Sequence, residues 1–480
     1  MKSSLQISDS LNFLKANPKA AADAIRKAAS ALLQKQAPEG YWWADLLADS
    51  TLESDYIMMQ LWLHPPVEGV WNPPDRGRIE RAVDSILARQ LPDGGFNIYL
   101  NGPANVNASI KAYFALKLAG IPASDSRMQR LRDRILDLGG LQAANSYVRI
   151  NLSLFGLFPR EACPSIPPEL IFLPFRFIYQ MSSWTRAIVI SLSIVRSASK
   201  ARPVPAAFCL DELYRPGVPV TLAHAAKDLS WRSAFLMLDR GLKFWERRGP
   251  EFIRRRALNR CLGWMIEHFE GSDGLGAIYP SMQYAVMGLD VLGYDATHPL
   301  RRQAQDQFDR LLTDNGNGFF FQPCFSPVWD TAIAAFALGE TEDPPQDALR
   351  RCADWLLANE IRRKGDWSIK RPNAEPSGWA FEFRNEFYPD IDDTAMVLLA
   401  LQRSQASDPA KQRACIKRAV NWILAMQGRD GGWAAFDVDN DWKFLSYVPF
   451  ADHNAMLDPS CPDITGRTVE ALILCGLDAG

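Results

Sequence analysis

Three carboxylates, Asp390, Asp392 and Asp393, fall within four positions of the stretch F-Y-P-D-I-D-D-T-A-M-V-L-L-A-L that runs from Phe387 to Leu401. Carboxylates this close cannot all ionise cheaply, because each negative charge raises the pKa of its neighbours. At least one is a candidate to stay protonated and act as an acid. A structural role stands beside the chemical one. The apolar run that follows reads as a helix, and Asp392 or Asp393 can cap it while the others are solvated.

Other chemistry-bearing groups are sparse. D-V-D-N-D, from Asp437 to Asp441, has the outline of a calcium loop, but Trp442 stands where such a loop requires Gly. The five histidines form no H-x-x-x-H pair, and nothing matches a phosphate-binding loop or a dinucleotide fingerprint. The eight cysteines are scattered without a C-x-x-C pair, as reduced core residues of a cytosol-facing protein would be. Lys plus Arg, 53 in all, nearly balances 55 Asp plus Glu, so no nucleic-acid partner is implied. By contrast 15 Trp, 25 Phe and 12 Tyr exceed what a helical scaffold needs and point to an aromatic-lined cavity.

The elements that must position these residues show as an internal repeat. Its pattern is a helix ending in Gln, then a short Gly-x-Trp turn. Copies run from Lys27 to Trp43, Arg81 to Phe96, Arg351 to Trp367 and Arg418 to Trp433, with a weaker one around Trp264 to Gly276. A second, more apolar helix follows most copies, as in D-T-A-I-A-A-F-A-L-G and D-T-A-M-V-L-L-A-L. Helix pairs of this kind cannot bury their faces singly, so they stack into a solenoid that can close as an α/α barrel. In the turn, Gly permits a left-handed backbone, Gln bonds main-chain groups and Trp stacks beside it.

With 480 residues the chain has room for two such domains. A less regular region from about Pro159 to Glu251 includes the apolar, Pro-punctuated stretch Pro164 to Phe177, which suits a connection or a surface that meets lipid. No window approaches the roughly 18 uninterrupted apolar residues of a membrane-spanning helix. The N-terminus lacks the apolar run of a signal peptide. The chain stops at Gly480 without a closing repeat, so a C-terminal part is expected to be missing.

Taken in collinear order, E-G-Y-W-W-A-D-L-L-A-D-S-T-L-E-S-D-Y, I-P-P-E-L-I-F-L-P, S-S-W-T-R-A, S-P-V-W-D-T-A, G-D-W-S-I-K-R-P-N, Y-P-D-I-D-D-T-A, F-D-V-D-N and D-I-T-G-R closely resemble the squalene–hopene cyclases, the class II triterpene cyclases of bacteria. The resemblance implies an all-α fold of two α/α barrel domains. Residues 1–49 and 297–480 would form the barrel carrying the acid motif, incomplete at its C-terminus, and residues 50–296 the inserted second barrel. It implies that Asp392, the middle acid of D-x-D-D, protonates a terminal alkene of squalene, while Asp390 and Asp393 hold it protonated and orient it. An alkene is a very weak base, so the acid must be strong, dry and aimed at the double bond. The carbocations that follow need π-density and no nucleophile. By motif Trp184, Trp329, Phe381, Phe436 and Phe450 would supply it.

The same resemblance implies hopene and hopanol as products, no cofactor or metal, and squalene rather than its epoxide as substrate. It also implies a homodimer lying monotopically on the cytoplasmic side of the inner membrane. There are departures. Arg467, behind Asp463, replaces the His of D-x-T-x-H found in some members, and a permanent cation lowers neighbouring pKa values instead of shuttling a proton. Tyr279 stands where some members have a Gln that helps bind terminating water. Phe436 stands where some relatives have Tyr. A class II cyclase for another polyprene and an inactive isoprenoid-binding α/α scaffold remain as alternatives.

Overall fold

A computed structural model describes residues 18–174, 176–198, 200–221, 231–315, 318–448 and 455–476. Among them are sixteen α-helices. The first eight are α1 (Pro18–Lys35), α2 (Thr51–Leu63), α3 (Arg76–Ala88), α4 (Val106–Leu118), α5 (Ser126–Asp137), α6 (Ser146–Ser153), α7 (Ser183–Ala198) and α8 (Trp231–Arg248). The rest are α9 (Glu251–Glu267), α10 (Tyr279–Val291), α11 (Pro299–Asp309), α12 (Pro327–Gly339), α13 (Gln346–Ala358), α14 (Ile391–Leu401), α15 (Pro409–Ala425) and α16 (Pro462–Leu474). One antiparallel hairpin, β1 (Leu312–Asn315) with β2 (Gly318–Phe321), pairs Leu312 with Phe321 and Asn315 with Gly318.

The helices fall into two kinds, and composition decides which. In α2 every residue from Leu52 to Trp62 is buried, whereas α5 buries only Met128, Leu131 and Ile135. A helix apolar all round must sit inside, and one with a single stripe lies against an interior from outside. Inner helices accordingly pack on inner helices: α2 on α4 and α10, α4 on α6, and α10 on α7. A cleft of about 420 Å³ is bordered by Leu52 and Asp55 of α2, Lys111 of α4, Asn151 of α6, Ile188 of α7 and Tyr284 of α10. Five inner helices thus surround one axis, with α3, α5, α9 and α11 outside them, the arrangement of an α/α barrel. In the second unit α14 lies between α12 and α16, with α13 and α15 outside.

The Gln-Gly-Trp turns tie these layers as expected. The Gln36 side-chain amide donates to the carbonyls of Gly40 and, on the neighbouring outer helix, Ala348, each at 2.9 Å. Gln90 repeats this with Gly94 (2.8 Å) and Arg127 (3.1 Å). The Trp42 indole donates back to Leu32 at 2.8 Å. Gly40 is required twice over: its φ is +108°, and a Cβ there would sit 2.4 Å from the Arg351 carbonyl oxygen.

Of the two apolar cores, the first runs to Phe325 and takes in Leu445 and Met456 as well, and the second otherwise begins at Val328. Trp42, bonded through its amide to Thr331 of α12, joins the second core, and Leu52 the first. Ala304 and Phe308 of α11 and Phe319 and Phe321 of the hairpin belong to the first core, so by packing the division falls later than the expected residue 297. Among the described residues no helix is long and apolar enough to cross a membrane.

Candidate active site

The acid motif sits at the start of α14, and the sequence pins that start from two sides. The Asp390 amide donates to the Trp379 carbonyl at 2.7 Å and the Ile391 amide to Ala435 at 2.8 Å. The Thr394 hydroxyl donates to the Asp390 carbonyl (2.6 Å) and accepts from the Trp379 amide (3.0 Å). The helix cap is Asp390, not Asp392 or Asp393 as the sequence suggested. Its Oδ1 accepts from the amides of Asp392 (2.7 Å) and Asp393 (3.3 Å), two of the donors that a helix start leaves unpaired. The extended Y-P-D approach leaves Asp390 at φ −95°, ψ 132°, the backbone a cap requires, and places the other two acids in the first turn.

The three carboxylates therefore meet three environments. Asp390 is buried as the cap. Asp393, 1% exposed, points inward, and its Oδ1 has no hydrogen-bond partner. Asp392 is the one residue of α14 that is not buried, with its side chain 21% exposed and ion-paired to the Arg467 guanidinium. Successive helix positions point roughly 100° apart, which separates Asp392 from Asp393.

Burial, then the charge of Asp392, pushes the Asp390 carboxyl up to about 8, against the two amides that stabilise its anion. Asp393 is driven well above the usual carboxylate range by burial first, then by Asp390, Glu382 and Asp392, with Arg467 pulling the other way. At neutral pH the cluster thus holds its protons on Asp390 and Asp393, beside the contact of Asp392 with Arg467. Arg467 and the N-terminus of α14 place positive charge beside Asp392.

Three of the aromatics singled out by motif make contacts that the structure records. Trp184 and Phe436 meet edge to face, centroids 5.2 Å apart. Phe436, its amide bonded to Asp458 at 2.8 Å, adjoins Ala435, whose carbonyl holds the first residue of α14. Arg467 lies 5.0 Å over the Trp329 ring while pairing with Asp392. Phe381 is two residues along from Trp379. All four rings are half-buried, as cavity walls are and core residues are not. Phe450 lies outside the described residues. Asp463 is exposed in the first turn of α16, one turn before Arg467.

Tyr279 does not join them. It is fully buried in the first core against Phe308 and Phe321, and its hydroxyl donates to the Leu52 carbonyl at 2.8 Å. The side chain whose sequence position suggested a role near terminating water has spent its polar group on α2.

Two features escaped the sequence. One is Glu382, buried beside the acids. The other joins the two units: Arg186 of α7, wholly buried, pairs with Asp366 (2.5 Å) and Asp437 (3.0 Å). His268 bonds the other Asp366 oxygen at 3.1 Å and is stacked between Trp264 and Phe387. Arg186 inside an apolar helix pattern and Asp366 beside Trp367 were visible as polar intrusions, but nothing local says that they meet.

Residues 25–317 match the squalene–hopene cyclase N-terminal domain and residues 325–479 its C-terminal domain. The squalene–hopene cyclase of Zymomonas mobilis is 36% identical over 469 residues, spanning 94% of this chain and 70% of the relative. That of Alicyclobacillus acidocaldarius is 35% identical over 460 residues, spanning 95% and 71%. The dammaradiene synthase of Dryopteris crassirhizoma is 33% identical over 463 residues, spanning 95% and 66%. Matched in both halves and more than a third identical to two of these relatives across nearly all its length, the chain belongs to the squalene–hopene cyclase family.

Proposed function

We propose that this protein is a squalene–hopene cyclase in which Asp392 protonates a terminal alkene of squalene and the resulting cation closes ring by ring to hopene and hopanol. The observation that carries this reading is the exposure pattern of α14. One carboxylate faces outward from an otherwise buried helix, backed by two carboxyls that hold protons and flanked by an arginine. Trp184, Trp329, Phe381 and Phe436 offer ring faces to the migrating charge, worth roughly 0.5–2 kcal/mol for each cation–π contact. The chemistry starts with a proton and ends with its loss or with capture of water.

The test is incubation with squalene in detergent, with products separated by gas chromatography. Pentacyclic hydrocarbon or alcohol is expected from the unaltered protein. Asp392→Asn, which preserves shape, should abolish it while leaving circular dichroism unchanged. Substantial cyclisation by that variant contradicts the assignment of the acid.

Squalene dissolves in lipid, so we further propose that the protein works on a membrane surface. The support is α8. Trp231, Met237, Leu238 and Phe244 are exposed along it, as are Phe252 of α9 and Phe172 and Leu173. Arg240, Lys243, Arg247 and Arg248 give the same helix a basic character, the composition of an interfacial helix. Eight unpaired cysteines fit the reducing, cytoplasmic side. Co-sedimentation with phosphatidylcholine–phosphatidylglycerol vesicles should be lost in Met237→Glu/Phe244→Glu. Unchanged binding would remove α8 from the membrane face.

A further inference from the structure

An acid that gives its proton to an alkene leaves the cluster one proton short after every turnover. The proton finally released from the product cation leaves at another place along the folded chain of the substrate. The cluster must therefore be reloaded from outside.

A polar path begins ahead of α14. The segment that leaves Trp379, whose carbonyl holds the Asp390 amide, runs on to Glu386 and borders a solvent-facing cleft of about 420 Å³. The cleft is strongly charged: Glu360, Arg362, Arg363, Arg384 and Glu386 line it, and Glu382 lies in its wall. Glu382 is only 7% exposed, and its Oε2 accepts from the Asn385 side-chain amide at 3.2 Å. Asp393 is buried as well, and its Oδ1 has no hydrogen-bond partner.

We propose that Glu382 reloads the acid cluster, taking protons from water in this cleft and passing them to Asp393. The inference rests on reading Asp392 as the alkene-protonating acid. In the step itself the O–H bond of the Glu382 carboxyl breaks as an O–H bond forms on Asp393. Asp393 gives its own proton to the Asp392 carboxylate, and the Glu382 carboxylate then takes a proton from a hydronium ion or water in the cleft. Forming hopene returns one proton to solvent for each one taken up, so the cycle balances.

Electrostatics fit this role. Burial, then the charges of Asp273 and Asp390, bring Glu382 up to about 8 despite the Asn385 hydrogen bond, so near neutral pH it exchanges protons in either direction. Its charge in turn acts on Asp393 and on the Cys324 thiol, which marks it as their neighbour. The groups facing it are thus Asn385 on its own segment, Asp273 from the turn after α9, Asp390 and Asp393 of α14, and Cys324 ahead of α12.

Glu382→Gln keeps the side-chain shape and a partner for Asn385 but carries no proton to transfer. Steady-state turnover should fall roughly 10²-fold, the scale of a lost general acid–base group. With enzyme in excess over squalene the single turnover should keep its rate, and with squalene in excess a burst of one product per enzyme should be followed by a slow phase. Acetate buffer should speed the slow phase and Glu382→Asp should restore part of it, neither of which a packing role would produce. Equal single and multiple turnover at the unaltered level overturns the relay and leaves the assignment of Asp392 standing. Loss of the first turnover as well, with melting temperature unchanged, also overturns it, because the residue would then be needed before any reloading. Turnover by Asp392→Asn would sink the underlying assignment instead.

Discussion

Two buried polar clusters lie close together in this molecule and end in different electrostatic states. Around Arg186 two carboxylates touch one buried cation, which holds Asp366 down while burial still raises Asp437. The guanidinium pairs with Asp366 and Asp437 and donates to the carbonyls of Ile178 (3.1 Å) and Met181 (3.0 Å), while the Tyr388 hydroxyl and His268 complete Asp366. Asp366 is wholly buried, which alone would raise it, yet Arg186 and His268 hold it below the usual carboxylate range. At the start of α14 cations are scarcer. Three carboxylates, with Glu382 behind them, share Arg467, and the two buried ones are pushed up. Similar residue types thus yield a fastening in one place and a store of protons in the other. The difference is the ratio of cations to carboxylates at similar depth, and it explains why only the second can do acid chemistry.

Stability should respond to Asp366 and Asp390 with opposite sign. Asp366 has a depressed pKa, so its contribution is present above the unfolded value near 4 and is lost as pH falls below it. Asp390 has a raised pKa, so the folded state binds more protons than the unfolded one between about 4 and about 8. Its neutral form is what folding favours, and stability drains away as pH rises through that window. The largest effect expected from breaking the comparison is at Arg186. Arg186→Met leaves Asp366 and Asp437 buried without their cation and should cost about 3–5 kcal/mol, seen as a lower melting temperature at pH 7. A change under about 1 kcal/mol would mean that the pairing contributes little and that the contrast is one of geometry alone.

How much of this was legible in the sequence follows from how local each feature is. The Gln36–Gly40–Trp42 turn was legible because the bonds that shape it, Gln36 to Gly40 and Trp42 to Leu32, close locally. D-x-D-D was legible because crowding three carboxylates is a statement about neighbours. Which acid caps the helix was not, since that depends on the Trp379 and Ala435 carbonyls fixing the backbone of Asp390 and Ile391. Arg186, Asp366 and Asp437 are far apart in the chain and meet only through packing of the two units. Tyr279 misled because its sequence position says nothing of the Leu52 carbonyl that takes up its hydroxyl. The exposed apolar side chains of α8 were overlooked because the Pro-rich segment before it drew the lipid-facing assignment.

The central claim is that protons reside on the buried Asp390 and Asp393, and it is open to infrared spectroscopy without any turnover. Protonated carboxyls absorb apart from carboxylates. In difference spectra at pH 7, Asp390→Asn and Asp393→Asn should each remove one protonated-carboxyl band. Raising the pH of the unaltered protein through about 8 should bleach the Asp390 band. Both bands kept in these two variants would contradict the account.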